Sequence, residues 1–179
     1  IGPACVLYSG GKDSTITLRL ALEQDPGVLV MHNNTTLGSD ATIDWIRKTT
    51  KGLNYIETTP DEAPVEMWQT RGHWPILGKR THTEVKRNTP GLNCSPVQCC
   101  YHLKEKPANR VLTKQGIKAV IWGNRAGESM RRRMSFVDSG FLFKPKKYTW
   151  HQAYPIQHWT GDDVKEWLEE NAPDFPVHK

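Results

Sequence analysis

Residues Ala4–Gln24 read ACVLYSGGKDSTITLRLALEQ, a strand-like pattern followed by a helix-like one. Ala4–Tyr8 is a short apolar run without helical period, which is typical of a buried parallel strand. Ser-Gly-Gly ends that run, and Ser14–Gln24 has the broad apolar face of a helix that packs on a sheet. After the turn Asp25-Pro26-Gly27, Val28–Met31 reads as a second buried strand. The order is therefore strand, helix, strand.

The alternation continues along the chain and predicts an α/β fold with a doubly wound, mainly parallel sheet and helices on both faces. We expect residues 1–179 to form a single domain, since the chain has the length of one ordinary globular domain. Arg71–Pro96 lacks a clear period and predicts a long functional loop, whereas Phe136–Phe143, broken by Asp138-Ser139-Gly140, predicts a small hairpin. The other predicted strands are Leu53–Glu57 and Lys118–Trp122, and the other predicted helices begin near Asp40, Pro60, Cys99 and Thr160.

Composition limits the classes of function. The net charge of +5 favours anionic partners such as nucleotides, nucleic acids and sulfate or phosphate esters. The sequence contains no run of eighteen apolar residues and no secretory signal at its start, so we expect a cytoplasmic protein without a membrane partner. Its four cysteines do not form the even framework of a disulfide-rich secreted domain, which favours a thiol or metal role.

The loop between the first strand and the first helix is suited to an anion, because free amides at the helix N-terminus point toward it. Gly10 and Gly11 let the backbone approach a phosphate or pyrophosphate group closely. The alternative is a plain strand-to-helix turn capped by Asp13 or Ser14. In the functional interpretation, the side chains supply hydroxyl donors at Ser9 and Ser14, a charge at Lys12, and at Asp13 a carboxylate that orients Lys12 or a divalent ion.

The hexapeptide SGGKDS at residues 9–14 matches the SGGxDS signature of the PP-loop superfamily, whose members have adenine nucleotide alpha hydrolase-like folds. It is not a Walker A loop, because the spacing G-x-x-x-x-G-K-S/T is absent. Within that superfamily the chain most resembles the phosphoadenosine phosphosulfate (PAPS) reductase family. The resemblance runs in family order through CCYHLKEKP at residues 99–107, GNRAGES at 123–129 and YPIQHWTGDDVKEWLEE at 154–170.

The resemblance implies a two-part nucleotide site, with Lys12, Asp13 and Arg125 as the catalytic candidates. The loop of residues 9–14 and the segment that follows the predicted strand at 118–122 both come at strand ends, so they are expected to converge in one crevice. Arg125 would pair with a phosphate or sulfate of the ligand, and Lys104 would join from the other side. The remaining nucleotide-binding candidates are His32, Asn33 and Asn34 beside the adenosine, Gly123, Glu128 and Ser129 of the family segment, and Arg131 or Arg132 from the cluster Arg131–Arg133.

Three cysteines, Cys94, Cys99 and Cys100, are candidate metal ligands. The pair Cys99-Cys100 resembles the tandem cysteines of family members that carry a [4Fe-4S] cluster. Those members have a downstream C-x-x-C, and no cysteine follows Cys100 here, while Cys5 lies too early to be an easy fourth ligand. An iron-sulfur cluster or zinc and a set of simply packed thiols therefore both stay open.

The resemblance implies an enzyme that binds PAPS, adenylyl sulfate or ATP for reductive sulfur transfer or related chemistry, with a thiol electron donor such as thioredoxin. The family's reductases use a cysteine in a C-terminal tail, and the sequence ends at Lys179, before such a tail. Two explanations stay open: the tail is missing here, or the protein carries out other chemistry. One alternative is an ATP-dependent adenylyltransferase or sulfurtransferase, with Mg²⁺, that releases pyrophosphate. Another is a catalytically inactive nucleic-acid-binding module that uses Trp68, Trp74 and Trp150. The sequence leaves a homo-oligomer open.

Overall fold

The computed structural model describes residues 2–71 and 99–175. Its strands form one six-stranded sheet in the order β3-β2-β1-β4-β6-β5. The strands are β1 (Ala4–Leu7), β2 (Leu29–Asn33), β3 (Tyr55–Thr58), β4 (Ala119–Ile121), β5 (Leu142–Phe143) and β6 (His151–Ala153). Every neighbouring pair is parallel except β5 with β6. The prediction of a doubly wound, mainly parallel sheet is confirmed.

Helices cover both faces of this sheet. The α-helices of the described residues are α1 (Lys12–Gln24), α2 (Asp40–Thr49), α3 (Pro64–Arg71), α4 (Lys106–Lys114), α5 (Met130–Ser139) and α6 (Gly161–Asn171). A π-helical turn at Tyr101–Glu105 leads into α4, and a 3-10 turn at Ala126–Glu128 precedes α5. Helices α1 and α2 pack on one face and α4 on the other.

The central strand β1 contributes side chains to the core on both faces of the sheet. Cys5 and Val6 are adjacent in β1, both fully buried, and belong to the clusters on opposite faces of the sheet. A strand that is apolar on both sides must be covered on both sides, which is why the sequence reads as a continuous apolar run. A third cluster, formed by Ile16, Ile156, Val164 and Leu168, holds α6 against α1.

The direction of the strand order reverses at β1. The chain moves from β1 outward through β2 to β3, and then returns to place β4 on the other side of β1. The carboxyl ends of β1 and β4 therefore lie side by side, and the connections that leave them run in opposite directions. In open α/β sheets this switch point is the usual place for a ligand.

The prediction of a hairpin at Phe136–Phe143 is wrong in its first half. Residues Met130–Ser139 form α5, which begins where the side chain of Ser129 accepts the amide of Arg132. Gly140 ends the helix at a φ of 67°, in the left-handed region that glycine tolerates best. Only the short strand β5, antiparallel to β6, remains of the predicted hairpin.

The predicted long loop, Arg71–Pro96, lies outside the described residues except for Arg71, which ends α3. Among the helices that the structure describes, none combines the length and the apolar character needed to cross a lipid bilayer.

Candidate functional site

Three strand ends meet around a cavity of about 450 Å³ at the switch point. We call the residues after β1 the first arm (residues 8–14) and the residues after β4 the second arm (residues 122–132). The carboxyl end of β2 forms the floor. The cavity is lined by Leu7, Tyr8, Ser9, Gly11, Lys12, Asp13, Ser14, Met31, His32, Asn33, Lys104, Trp122, Gly123, Asn124, Glu128 and Arg132.

The first arm is shaped by hydrogen bonds within itself. The Ser14 hydroxyl donates to the carbonyl of Gly11 at 2.9 Å and receives hydrogen bonds from the backbone amide and hydroxyl of Ser9, at 3.3 and 3.1 Å. Gly11 stands at the N-cap of α1, and no side chain caps the helix there. The first-turn amides therefore keep their capacity for an anion.

Gly10 faces away from the cavity and against α2. Its φ is 76°, and a Cβ at this position would lie 2.8 Å from Cγ1 of Ile46. Both the backbone conformation and the tight packing require glycine here. The structure thus gives Gly10 a part in holding the loop close to α2, whereas Gly11 lines the cavity.

A buried ion pair joins the two arms. Arg125 Nε donates to Oδ1 of Asp13 at 2.8 Å, and the two side chains are only 8% and 13% exposed. Arg125 Nη1 also donates to the carbonyl of Trp159 at 3.3 Å, while the second carboxylate oxygen of Asp13 lies 3.2 Å from Lys12 Nζ. The carboxylate of Asp13 thus contacts both Arg125 and Lys12, and the role expected for it in orienting Lys12 or a divalent ion stays a prediction. The guanidinium of Arg125 is directed at protein groups and does not line the cavity.

The backbones of the two arms also touch. A Cβ on Gly123 would lie 2.7 Å from the carbonyl oxygen of Asp13 and 2.9 Å from Cα of Ser14. Only glycine allows this approach, because carbon atoms in contact normally stay about 3.5–4.0 Å apart. The ion pair and this contact fix the width of the cavity between the arms.

The second arm also brings Glu128 and Arg132 to the cavity. Oε2 of Glu128 accepts the backbone amide of Arg125 at 2.7 Å, and the same carboxylate pairs with Arg132 one turn later. Ser129 caps α5 through its hydroxyl, and Arg131 is exposed outside the cavity lining. Of the cluster Arg131–Arg133, the structure brings Arg132 to the site.

Three polar residues follow one another at the end of β2. Nδ1 of His32 lies 2.9 Å from the carbonyl oxygen of Tyr8, which can only accept, so Nδ1 carries a proton and supports the first arm from below. Asn33 lines the cavity and accepts a hydrogen bond from Thr58. Asn34 lies outside the cavity lining and donates to Glu57 at 2.8 Å.

Glu57 holds this corner of the sheet together. Arg47 binds its two carboxylate oxygens at 2.8 and 3.0 Å, and Tyr55 and Asn34 donate to them as well. The hydrogen bond from Arg47 is the main reason that the pKa of Glu57 falls from 4.5 to about 2. A charged carboxylate therefore braces β3 next to the cavity floor.

Lys104 is the one cavity-lining cation to which the described residues give no counter-ion. It stands in the π-helical turn at Tyr101–Glu105, and such turns in helices often occur at functional sites. Lys104 also lines an adjoining cavity of about 250 Å³, with largely apolar walls that include Trp122, Tyr148 and Trp150. The rings of Tyr148 and Trp150 stack with centroids 4.9 Å apart. The sequence placed Lys104 through its family segment, but nothing in it indicated this second cavity.

The three cysteines of the described residues lie in different surroundings. Cys5 is buried in β1, where loss of solvation raises the pKa of its thiol to about 12. Cys99 is buried beside Met67 and Leu103, whereas its neighbour Cys100 is exposed and lines the smaller cavity. Cys94 lies outside the described residues.

Residues 2–71 and 99–175 contain no group of three side chains placed to hold a metal ion. The donor set of four thiolates that a [4Fe-4S] cluster usually takes is therefore not found among them.

The tryptophans named for nucleic-acid stacking are not arranged for it in the described part of the chain. Trp150 is 5% exposed and belongs to the core. Trp68 packs against the cluster of Met67, Cys99 and Leu103, and Trp74 falls outside the described residues.

Comparison with known proteins agrees with this architecture. The model of the phosphoadenosine phosphosulfate reductase domain family matches residues 3–179. Adenosine 5'-phosphosulfate reductase of Oceanobacillus iheyensis is 36% identical over 76 residues, which are 42% of this chain and 29% of that protein. Its counterpart in Lysinibacillus sphaericus is 34% identical over 84 residues, which are 46% and 34% of the two chains. The matched stretch thus spans about a third of these curated relatives.

Two solved structures share the fold at low identity. A phosphate complex of PAPS reductase from Candida auris has a TM-score of 0.64 at 16% identity, covering 99% of this chain and 75% of that one. A U34-tRNA thiolase from Methanococcus maripaludis, solved with its [4Fe-4S] cluster, has a TM-score of 0.56 at 15% identity, covering 99% and 58%.

Proposed function

Because the chain belongs to the phosphoadenosine phosphosulfate reductase domain family, we propose that it is an enzyme that binds an adenine nucleotide between the two arms. The anionic group of the ligand lies against the first arm, on the uncapped amides at the start of α1. The adenosine extends over the end of β2. The convergence of both arms on one cavity at the switch point carries this proposal.

Some charged side chains around the cavity pair with each other, and others are left to bind the ligand. Asp13 and Arg125 neutralise each other while they join the arms, and Glu128 neutralises Arg132 in the same way. Lys104 has no such ion pair among the described residues and is therefore available to the ligand. We propose that Lys104 and Lys12, which is half exposed, hold the phosphate or sulfate oxygens from opposite sides.

The preferred ligand is a sulfonucleotide, either adenylyl sulfate or PAPS, in keeping with the relatives that the chain matches. In that reaction a thiolate attacks the sulfur atom and the bond from sulfur to the phosphate oxygen breaks. The nucleotide leaves with the bonding electrons and the thiol carries an S-sulfonate. A second thiol then forms a disulfide and releases sulfite, so the two thiols supply both electrons. A thiol donor such as thioredoxin in the cytoplasm fits this requirement.

The smaller cavity favours a second candidate function. It shares the lining residues Leu7, Asn33, Lys104 and Trp122 with the nucleotide cavity, and its aromatic walls suit a second substrate. If the nucleotide is ATP, with Mg²⁺, attack on the α-phosphate by that substrate transfers the adenylyl group and releases pyrophosphate. The tRNA thiolase with the same fold shows that this architecture also occurs in a protein named for tRNA thiolation.

Isothermal titration calorimetry tests the proposal. PAPS, adenylyl sulfate and ATP are titrated separately into the protein, and at least one is expected to bind at a single site. Lys104→Ala should lower the affinity for that ligand at least tenfold, which is about 1.4 kcal/mol of binding free energy, since a charge-assisted contact is lost. Lys114→Ala, an exposed lysine on the same helical segment outside both cavities, is the matched control.

Failure of all three nucleotides to bind would disprove the nucleotide site, and equal affinities of the two lysine variants would disprove the role of Lys104. Once a nucleotide that binds has been found, the reaction products distinguish reduction from adenylyl transfer. Sulfite from a sulfonucleotide and a dithiol supports reduction, whereas pyrophosphate from ATP supports adenylyl transfer.

A further inference from the structure

Large apolar side chains are concentrated on the surface of α5 and the strand that follows it. Five of the eight exposed large apolar side chains of the described residues fall between residues 130 and 142. We call them the α5 face: Met130, Met134, Val137, Phe141 and Leu142. Exposed apolar residues that occur singly need no explanation, but several that are concentrated in one segment are typical of an interaction site.

The geometry of the helix turns this face away from the rest of the protein. At 100° per residue, Met130, Met134 and Val137 fall within an arc of about 60°. Phe136 lies on the opposite side, where it is buried and packs edge-on against Tyr154 at 4.9 Å. Val137 is 78% exposed and Met134 63%, so the core does not use this apolar stripe.

Positive charges flank the stripe. Arg131 and Arg133 project on either side of it, both exposed, and the described residues offer neither of them an ion pair. Lys144 and Lys146, directly after β5, are exposed as well. The α5 face is therefore an apolar strip with a basic border.

An open strand edge continues the face. Among the described residues, strand β5 is the last strand of the sheet and has β6 as its partner, through Leu142 opposite Ala153 and Phe143 opposite Gln152. Its outer edge presents the backbone amide and carbonyl of Leu142, which another polypeptide can pair with. A lipid surface cannot use such groups in register, so the edge favours a protein as the partner.

The basic border of the α5 face indicates which kind of protein can bind there. In a two-fold dimer the same patch meets itself, which would bring Arg131 and Arg133 of two copies together at a cost in repulsion. Residues 72–98, which lie outside the described part, carry four lysines and arginines against one glutamate and so lack the complementary charge. We propose that the α5 face docks a second protein whose contacting element carries apolar side chains bordered by aspartates and glutamates. Because Arg132 of α5 lines the nucleotide cavity, the partner would dock beside the site.

A labelled peptide serves as the probe for this surface. The peptide is a designed amphipathic helix with leucines at three- and four-residue spacing and glutamates on both borders. One comparison peptide has lysine in place of every glutamate, and another has the same composition in scrambled order. Fluorescence anisotropy with the full chain should give the glutamate helix an affinity at least tenfold above both, and the difference should shrink as salt rises.

Variants locate the binding. Val137→Asp should lower the affinity for the glutamate helix at least tenfold. Val65→Asp, the same change at an exposed valine on α3, should leave that affinity unchanged. Both sites are on the surface, so both variants are expected to fold, which circular dichroism checks. Nucleotide affinity of Val137→Asp should equal that of the wild type, which separates this proposal from the proposed function.

Three results would overturn the proposal: equal binding of the lysine and glutamate helices, binding that Val137→Asp leaves unchanged, or no binding at all. Sedimentation of the wild type as a dimer that Val137→Asp dissociates would assign the face to a second copy. Binding to phosphatidylserine vesicles that Val137→Asp abolishes, without peptide binding, would assign it to a membrane surface.

Discussion

Replacing Gly123 by alanine adds a single carbon atom, and this should be enough to damage the nucleotide site. The new Cβ would stand 2.7 Å from the carbonyl oxygen of Asp13, 2.8 Å from its carbonyl carbon and 2.9 Å from Cα of Ser14. Ordinary contact between carbon atoms begins at about 3.5 Å. The arms must therefore separate by about 0.7 Å, because the obstacle is backbone and cannot rotate away.

This separation affects both folding and binding. Overpacking of this kind costs about 1–3 kcal/mol of unfolding free energy. It also stretches the 2.8 Å ion pair between Asp13 and Arg125 and turns the first-turn amides of α1 away from the ligand. Misplacement by about 1 Å in a binding site can cost a factor of about one hundred in activity, so we expect nucleotide affinity to fall at least tenfold.

Calorimetry with the nucleotide that binds best and urea unfolding measure the two effects. Gly161→Ala is the matched control, since a Cβ at the first residue of α6 meets nothing within 4 Å. If Gly123→Ala binds nucleotide within twofold of the wild type and unfolds at the same urea concentration, the new Cβ does not separate the arms and this prediction is wrong. Loss of stability without loss of affinity would show that the arms do not set the geometry of the site.

Three further predictions concern the charges and thiols. Asp13→Asn should cost about 3 kcal/mol of unfolding free energy, and a double-mutant cycle with Arg125→Met should show coupling on the order of 2 kcal/mol. The exposed pair Lys165–Glu169, at 3.8 Å, should show less than about 0.5 kcal/mol in the same cycle. Glu57→Gln should reduce the unfolding free energy at neutral pH. Because folding lowers the pKa of Glu57 from 4.5 to about 2, the difference in unfolding free energy from the wild type should shrink as the pH falls from 4.5 and vanish once the pH is below about 2. A difference that stays constant with pH would contradict this. Iodoacetamide at pH 8 should label Cys100 and spare Cys5, whose pKa is raised to about 12 by burial, as peptide mapping can check; equal labelling would mean that β1 opens readily.

The parts of the fold that sequence predicts well are those with strong local signals. The apolar run at Ala4–Leu7 becomes β1, and Thr160 with Asp163 forms the capping box of α6. The turn residues Asp138-Ser139-Gly140 misled the prediction for α5, because they mark the end of a helix as readily as the middle of a hairpin. The cap at Ser129 is the signal that would have identified the helix.

The candidate site was predictable as a pair of segments but not as a set of contacts. Arg125 and Asp13 stand 112 positions apart, and no local pattern indicates that they bind each other. The sequence assigned Arg125 to the ligand, and that role stays a prediction, but the structure directs its guanidinium to Asp13 and Trp159. Long-range pairs of this kind depend on topology, which brings the ends of β1 and β4 together.

Hydrogen–deuterium exchange with bound nucleotide tests the claim that the two arms hold one ligand. If both arms form one adenine nucleotide site, saturating ATP, adenylyl sulfate or PAPS should slow exchange of the amides at residues 9–14 and 122–132 together, with peptides from α6 unchanged as an internal reference. Slowing at only one of the two segments, or at neither while the nucleotide is bound elsewhere, would contradict the claim.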